Sequence, residues 1–168
     1  RSNEVYLDQA SDLLRTPKQE LRSRIAQLVS DVKDKEKEIE ELKLKIAASA
    51  STDLAEKIVN ISGTPFLASE IVGDNKAMMK MLDDLRSKHP GAIIVLAQQG
   101  QGKTSVAVGV DGELSKSIAA GELLAEIGPI IGVKGGGPAH LARGGGAGGL
   151  EKFEEAVDRA KDWVRERL

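Results

Sequence analysis

Between Gly132 and Gly149 the chain places nine of its eighteen glycines, including the triplets Gly135-Gly136-Gly137 and Gly144-Gly145-Gly146. Lys134, His140 and Arg143 lie in the same interval, and no acidic residue does. Glycine runs can take backbone angles closed to other residues. Successive N–H groups can then converge on an anion, and a ligand can approach the main chain closely. With three side chains able to carry positive charge nearby, the interval is a candidate phosphate-binding element made of Lys134, Gly135, Gly136, Gly137, His140, Arg143, Gly144, Gly145 and Gly146. A flexible linker is the plain alternative for such a composition. The flanking Ile130-Ile131 and the amphipathic pattern after Glu151 favour an ordered loop inside a domain.

No catalytic set accompanies this element. His140 has no nucleophile or carboxylate cluster at a fitting spacing and reads as a surface residue of the loop. Gly100-Gln101-Gly102-Lys103-Thr104 imitates a nucleotide-binding phosphate loop. That motif, however, needs glycine where Ala97 stands and must open a helix. The next residues, Ser105 to Val110, have the composition of a strand, so a hairpin turn is expected. There is no cysteine, and His89 and His140 are far apart in sequence. No metal site and no cofactor is therefore expected in this chain. Only four aromatic residues are present, and Tyr6 and Trp163 read as packing residues. Contact with a nucleic acid would accordingly run through phosphates and backbone, or through arginine, rather than an aromatic platform.

Such an element needs a scaffold, and the pattern after residue 50 supplies one. Short apolar runs at Lys57 to Ile61, Pro65 to Val72, Ala92 to Gln98 and Ser105 to Val110 predict strands. A helix is predicted over Asn75 to Lys88, capped by Asp74, and another over Ala119 to Ile127. The last helix, from about Glu151, turns Phe153, Val157, Ala160 and Val164 inward. The short connection Gln99 to Lys103 implies a hairpin, so the sheet is expected to be mixed. The fold class is α+β.

The first fifty residues differ. Leu7, Leu14, Leu21, Leu28 and Leu42 recur every seven residues, with Lys35 in the gap, and Ile25, Val32, Ile39 and Ile46 fill the complementary position. This predicts a helical arm with an apolar seam of Leu14, Leu21, Ile25, Leu28, Val32, Ile39, Leu42 and Ile46. Pro17 cannot lie inside a continuous helix, so a break is expected at Arg15 and Thr16. Thr16 would be the N-cap of a long helix running from Pro17 to Ala48, with Gln19 completing a capping box. Residues 31–45 carry mixed charges on the outer face and read as solvated surface. The seam lacks the upstream basic region of a DNA-binding zipper. A helical hairpin or pairing with a second protomer are its remaining uses. Ala48 to Thr52 mark a compositional boundary, giving an arm over 1–50 and a globular domain over 51–168.

A formal charge of −2 excludes a polyanion binder that works by overall positive charge. The longest pure apolar stretch, Ala92 to Ala97, is far short of the roughly 20 residues of a membrane span. A soluble, cytoplasmic protein without a membrane partner is expected. The opening Arg-Ser-Asn reads as a cut from a longer protein.

The element order, the heptad helix with Leu13-Leu14 and Pro17 before it, Ile118-Ala119-Ala120-Gly121-Glu122-Leu123, and the two glycine triplets together resemble the C-terminal domain of alanyl-tRNA synthetase. That domain is of the type shared with DHH phosphoesterases. Gly132, Lys134, Gly135, Gly136, Gly137, Ala142, Gly144, Gly145 and Gly146 match the family pattern. Val133 stands where a glycine is usual, Arg143 where glutamine is usual, and Pro138 to His140 where Arg-Pro-Asp is typical. The resemblance implies a tRNA-binding module that contacts tRNA(Ala) at its elbow, where the D and T loops meet, with an arm that joins upstream domains and contributes to a homodimer. Alanylation with ATP and magnesium, and zinc-assisted editing, would then reside upstream, leaving this piece non-catalytic. Two other uses stay open: the substrate-binding domain of a DHH-type phosphoesterase or nuclease, and a structural coiled coil whose globular end binds protein.

Overall fold

A computed structural model describes the backbone of residues 1–168 and the side chains of all but residues 47–52. Contacts gather the chain into two units, Arg1–Leu42 and Lys43–Leu168. The expected boundary at 48–52, and with it the division between residues 50 and 51, falls on residues whose side chains are outside the described ones, while the backbone of the helix expected to end at Ala48 continues helical to Ala55.

In the first unit, helix α1 (Ser2–Leu14) ends at Arg15, whose left-handed backbone (φ 48°) stops the helix. One turn of 3-10 helix, Lys18–Glu20, leads into the long helix α2 (Leu21–Ala55). The break lies where Pro17 requires it, but the capping box does not form. Thr16 Oγ1 donates back to the Leu14 carbonyl at 2.9 Å, and Ser11 Oγ donates to the Thr16 carbonyl at 2.6 Å. Both hydroxyls satisfy the turn, and Pro17 precedes the helical residues with an extended ψ of 147°. The α-helix therefore begins at Leu21, four residues later than the sequence suggests. Of the seam, Leu21 is buried, Leu14 and Leu28 are partly so, and Ile25, Val32, Ile39 and Leu42 stand about half exposed. Lys35, in the seam's gap, bonds Glu38 at 2.6 Å on the surface.

The second unit is built on a six-stranded sheet: β1 (Val59–Ile61), β2 (Thr64–Glu70), β3 (Ile93–Gly100), β4 (Lys103–Val110), β5 (Lys134–Gly136) and β6 (Leu141–Gly146), in the order β1-β2-β3-β4-β6-β5. Only β2 and β3 run parallel, joined through helix α3 (Asn75–Lys88), and the sheet is mixed as expected. Asp74 caps α3, its carboxylate accepting the Ala77 N–H at 2.8 Å. Two-residue turns close the hairpins at Ser62-Gly63 and Gln101-Gly102, with positive φ at both residues of each. That is the geometry matching the right-handed twist of the strands. Gln101-Gly102 is thus a turn, not a phosphate loop.

Residues 93–98 of β3 are buried without interruption because helices cover both faces of the sheet. Leu67, Ile94, Leu96 and Ala107 pack with Met78, Met81, Leu82 and Leu85 of α3. Phe66, Ile93, Val95, Val106, Val108 and Ala142 pack with the helices of the other face, α4 (Ala120–Ile127) and α5 (Phe153–Arg165). In α5, Phe153, Ala160 and Val164 are buried as predicted, Val157 partly, and Ala156 and Trp163 join them.

The glycine segment departs most from expectation. It is not a loop of converging amides but a β-hairpin, in which Lys134, Gly135 and Gly136 pair with Gly145, Gly144 and Arg143. None of the six triplet glycines has a positive φ, and in the segment only Gly132 does. An anion nest of alternating handedness is therefore not formed. What the glycines supply is close approach. A Cβ on Gly135 would land on the Arg143 carbonyl and Gly144 Cα, and one on Gly146 would land on the Gly132 carbonyl.

Candidate nucleic-acid interface

The register fixes which side chains share a face. Arg143 lies opposite Ala107, which points toward α3, so Arg143 emerges on the α3 side. Gly136 lies opposite Arg143, and Lys134 opposite Gly145. Lys134, Gly136, Arg143 and Gly145 thus share one face, with Lys134 and Arg143 as diagonal neighbours, a relation that typically spaces backbones by about 7–8 Å.

Helix α3 packs on β3 and β4, while the β6–β5 end of that face stays open: Lys134, Gly136, Arg143 and Gly145 are all exposed. A depression of about 560 Å3 forms where this open end meets the first turns of α3. Lys134, Arg143, Gly144 and Gly145 form its sheet side, and Lys76 and Met79 its helix side. Among the described residues, three cations line it and no carboxylate does. Lys134 and Arg143 make no ion pair or hydrogen bond among the described residues. Two like charges held this close without an acid repel each other, so an anion between them relieves the repulsion.

Strand β5 ends the sheet, so the N–H groups on its outer edge have no strand to pair with. Main-chain donors are therefore available beside the two cations, by a route other than a nest. The hairpin is anchored from behind. Thr104, fully buried in β4, donates its hydroxyl to the Gly148 carbonyl at 2.5 Å, and the Ala120 N–H at the start of α4 donates to the Ala139 carbonyl at 2.8 Å.

Of the residues singled out by sequence, Lys134, Arg143, Gly144 and Gly145 come together in the depression, with Gly135, Gly136 and Gly146 in the flanking strands. Gly137 and His140 lie in the connection at the far end of the hairpin, where His140 is exposed and its carbonyl accepts the Val110 N–H. The depression does not include it. Sequence reasoning missed Asn75, Lys76, Met79 and Ser105. Their position at a capped helix start and on a strand was legible, but nothing local shows that α3 starts beside β6. Among the described residues no three histidine, aspartate or glutamate side chains gather closely enough to hold a metal ion, and no helix is long and apolar enough to cross a membrane.

Residues 63–166, covering β2 to α5 and so both walls of the depression, match the model of the DHHA1 domain. The chain belongs to the DHHA1 domain family. This DHHA1 chain is 40% identical over 166 residues to the alanine–tRNA ligase of Bordetella avium, covering 98% of the chain and 19% of that relative. To the alanine–tRNA ligase of Hydrogenovibrio crunogenus it is 37% identical, covering 90% and 18%. The DHHA1 chain therefore spans about a fifth of the length of these curated relatives. Among solved structures, the C-Ala domain from Aquifex aeolicus alanyl-tRNA synthetase superposes with a TM-score of 0.60 at 27% identity, over 65% of this chain and 98% of that one. RecJ in complex with Mn2+ from Thermus thermophilus superposes with a TM-score of 0.56 at 15% identity, over 89% of this chain and 20% of that one, a likeness of fold alone.

Proposed function

We propose that the chain is the C-terminal, non-catalytic tRNA-binding module of an alanine–tRNA ligase, and that the open β6–β5 face receives the sugar-phosphate backbone of tRNA(Ala) at its elbow. The observation that carries this reading is the pair Lys134 and Arg143, exposed and without acidic partners on glycine strands, in a chain whose net charge is −2. Phe66, Phe153 and Trp163 are buried, so the globular unit offers phosphate and backbone contacts instead of base stacking on aromatic rings. A surface of that kind reads the shape of a folded RNA. Alanylation and editing, with their ATP, magnesium and zinc, belong to upstream domains of the same enzyme, in the cytoplasm. The half-exposed part of the α2 seam at Ile25, Val32, Ile39 and Leu42 is the surface through which two copies associate.

Titration of a tRNA(Ala) transcript across a salt series tests the interface. The Lys134→Ala/Arg143→Ala protein should bind more weakly and flatten the slope of log affinity against log salt by between about 1 and 2, as expected for two lost phosphate contacts. Unrelated tRNAs should bind the parent about as well as tRNA(Ala), since the elbow is a shared shape. Unchanged affinity and slope in the double variant would remove these side chains from the interface.

A further inference from the structure

A second depression, of about 550 Å3, adjoins the first and shares Asn75 and Ser105 with it. Its chemistry is different. The large apolar side chains Ile46 and Val72 stand 61% and 91% exposed on its walls. The same lining holds an amide pair: Gln98, a buried polar residue on β3 at 7% exposure, donates its Nε2 to Asn75 Oδ1 at 2.9 Å. This bond leaves the Gln98 carbonyl oxygen, one Gln98 N–H and both Asn75 N–H groups without partners among the described residues. Among those residues no buried side-chain polar atom lacks a partner, so the unbonded Gln98 oxygen reaches solvent. Lys103, which has no ion pair among the described residues, lies on the rim with Lys43, itself 3.8 Å from the Asp74 carboxylate.

Adjacent donors and an acceptor, held in one depression with exposed apolar side chains, complement the edge and the flat face of a nucleobase. A phosphate would find no use for the carbonyl oxygen, and an apolar peptide side chain would leave the buried amide unpaired. We propose that this depression receives an unpaired nucleobase of the same RNA whose backbone crosses Lys134 and Arg143, its edge bonded by Gln98 and Asn75 and its face against Val72 and Ile46. The proposal rests on the RNA-binding reading and adds a base-contacting site to it.

The test uses the whole chain, a tRNA(Ala) transcript, and two uncharged variants. Gln98→Met keeps the length of the side chain and removes the amide; Val72→Ser alters a residue too exposed to matter for folding. Each should weaken binding by about five- to tenfold while the salt slope stays that of the parent, because no phosphate contact is lost. Should Gln98→Met lower the melting temperature, Val72→Ser alone decides. Parent-like affinity in Val72→Ser, or a flattened slope in either variant, overturns the base site, and if Lys134→Ala/Arg143→Ala is still impaired the backbone-binding reading survives that loss. If the parent chain itself binds no tRNA, the underlying reading fails and this site fails with it.

Discussion

Gly146 and Gly136 sit in neighbouring strands of one hairpin, yet they are there for different reasons. A Cβ at Gly146 would land on the Gly132 carbonyl, whereas one at Gly136 would meet nothing within 4 Å. Gly146→Ala is therefore predicted to cost about 1–3 kcal/mol through forced backbone movement, and Gly136→Ala to stay within about 0.5 kcal/mol. Melting curves of the two variants check the contrast. Asp74 supplies a second test at this scale. The Ala77 N–H, and more weakly Lys43 and the Lys76 backbone, hold its carboxyl below the usual aspartate range. A lowered folded-state value means the cap stabilises fully above the unfolded value, about 3.9, and loses its effect as pH falls through the folded value. Asp74→Ala should cost about 1 kcal/mol at neutral pH, and its deficit relative to the parent should vanish under acid. The candidate residues Lys134 and Arg143 were legible because glycine concentration and charge are local properties. Lys76, Met79 and Gln98 were not, since their roles depend on which strand α3 packs beside.

At the scale of elements, α3 was readable residue for residue because cap, apolar period and basic last turn all agree. The β3–β4 hairpin was readable from its Gln-Gly turn. The glycine hairpin was not, because glycine is poorly suited to strands and carries no period to read; β4 imposes the extended form on β6, and β6 on β5. At the arm's break, Thr16 had two possible uses, and its hydroxyl serves Leu14 instead of the helix start. The heptad seam is a feature of α2 that the chain leaves half exposed, which motivates an element-level prediction. Replacing Val32 and Ile39 by glutamate should shift the chain from dimer to monomer in sedimentation velocity without changing the melting of the sheet domain. A parent chain that is monomeric at micromolar concentration would remove the seam from the account of dimerisation.

At the scale of the molecule, the proposed function requires an acidic chain to reach a polyanion by sorting its charge rather than by carrying an excess of it. The arm's lysines sit among acids, Arg159 is tied to Glu126, and Arg165 to Asp162, while Lys134 and Arg143 on the β6–β5 face have no acidic partner among the described residues. α4 and α5 close one face of the sheet and α3 part of the other, so the place where a large ligand can reach main chain on glycine strands is set by which part α3 leaves open. Amide hydrogen exchange with and without a tRNA(Ala) transcript probes that claim directly. Protection is predicted to rise across residues 134–136 and 143–146 and at the start of α3, with α5 unchanged. Protection confined to α5 or to the arm, with the glycine hairpin exchanging as in the free protein, would contradict it.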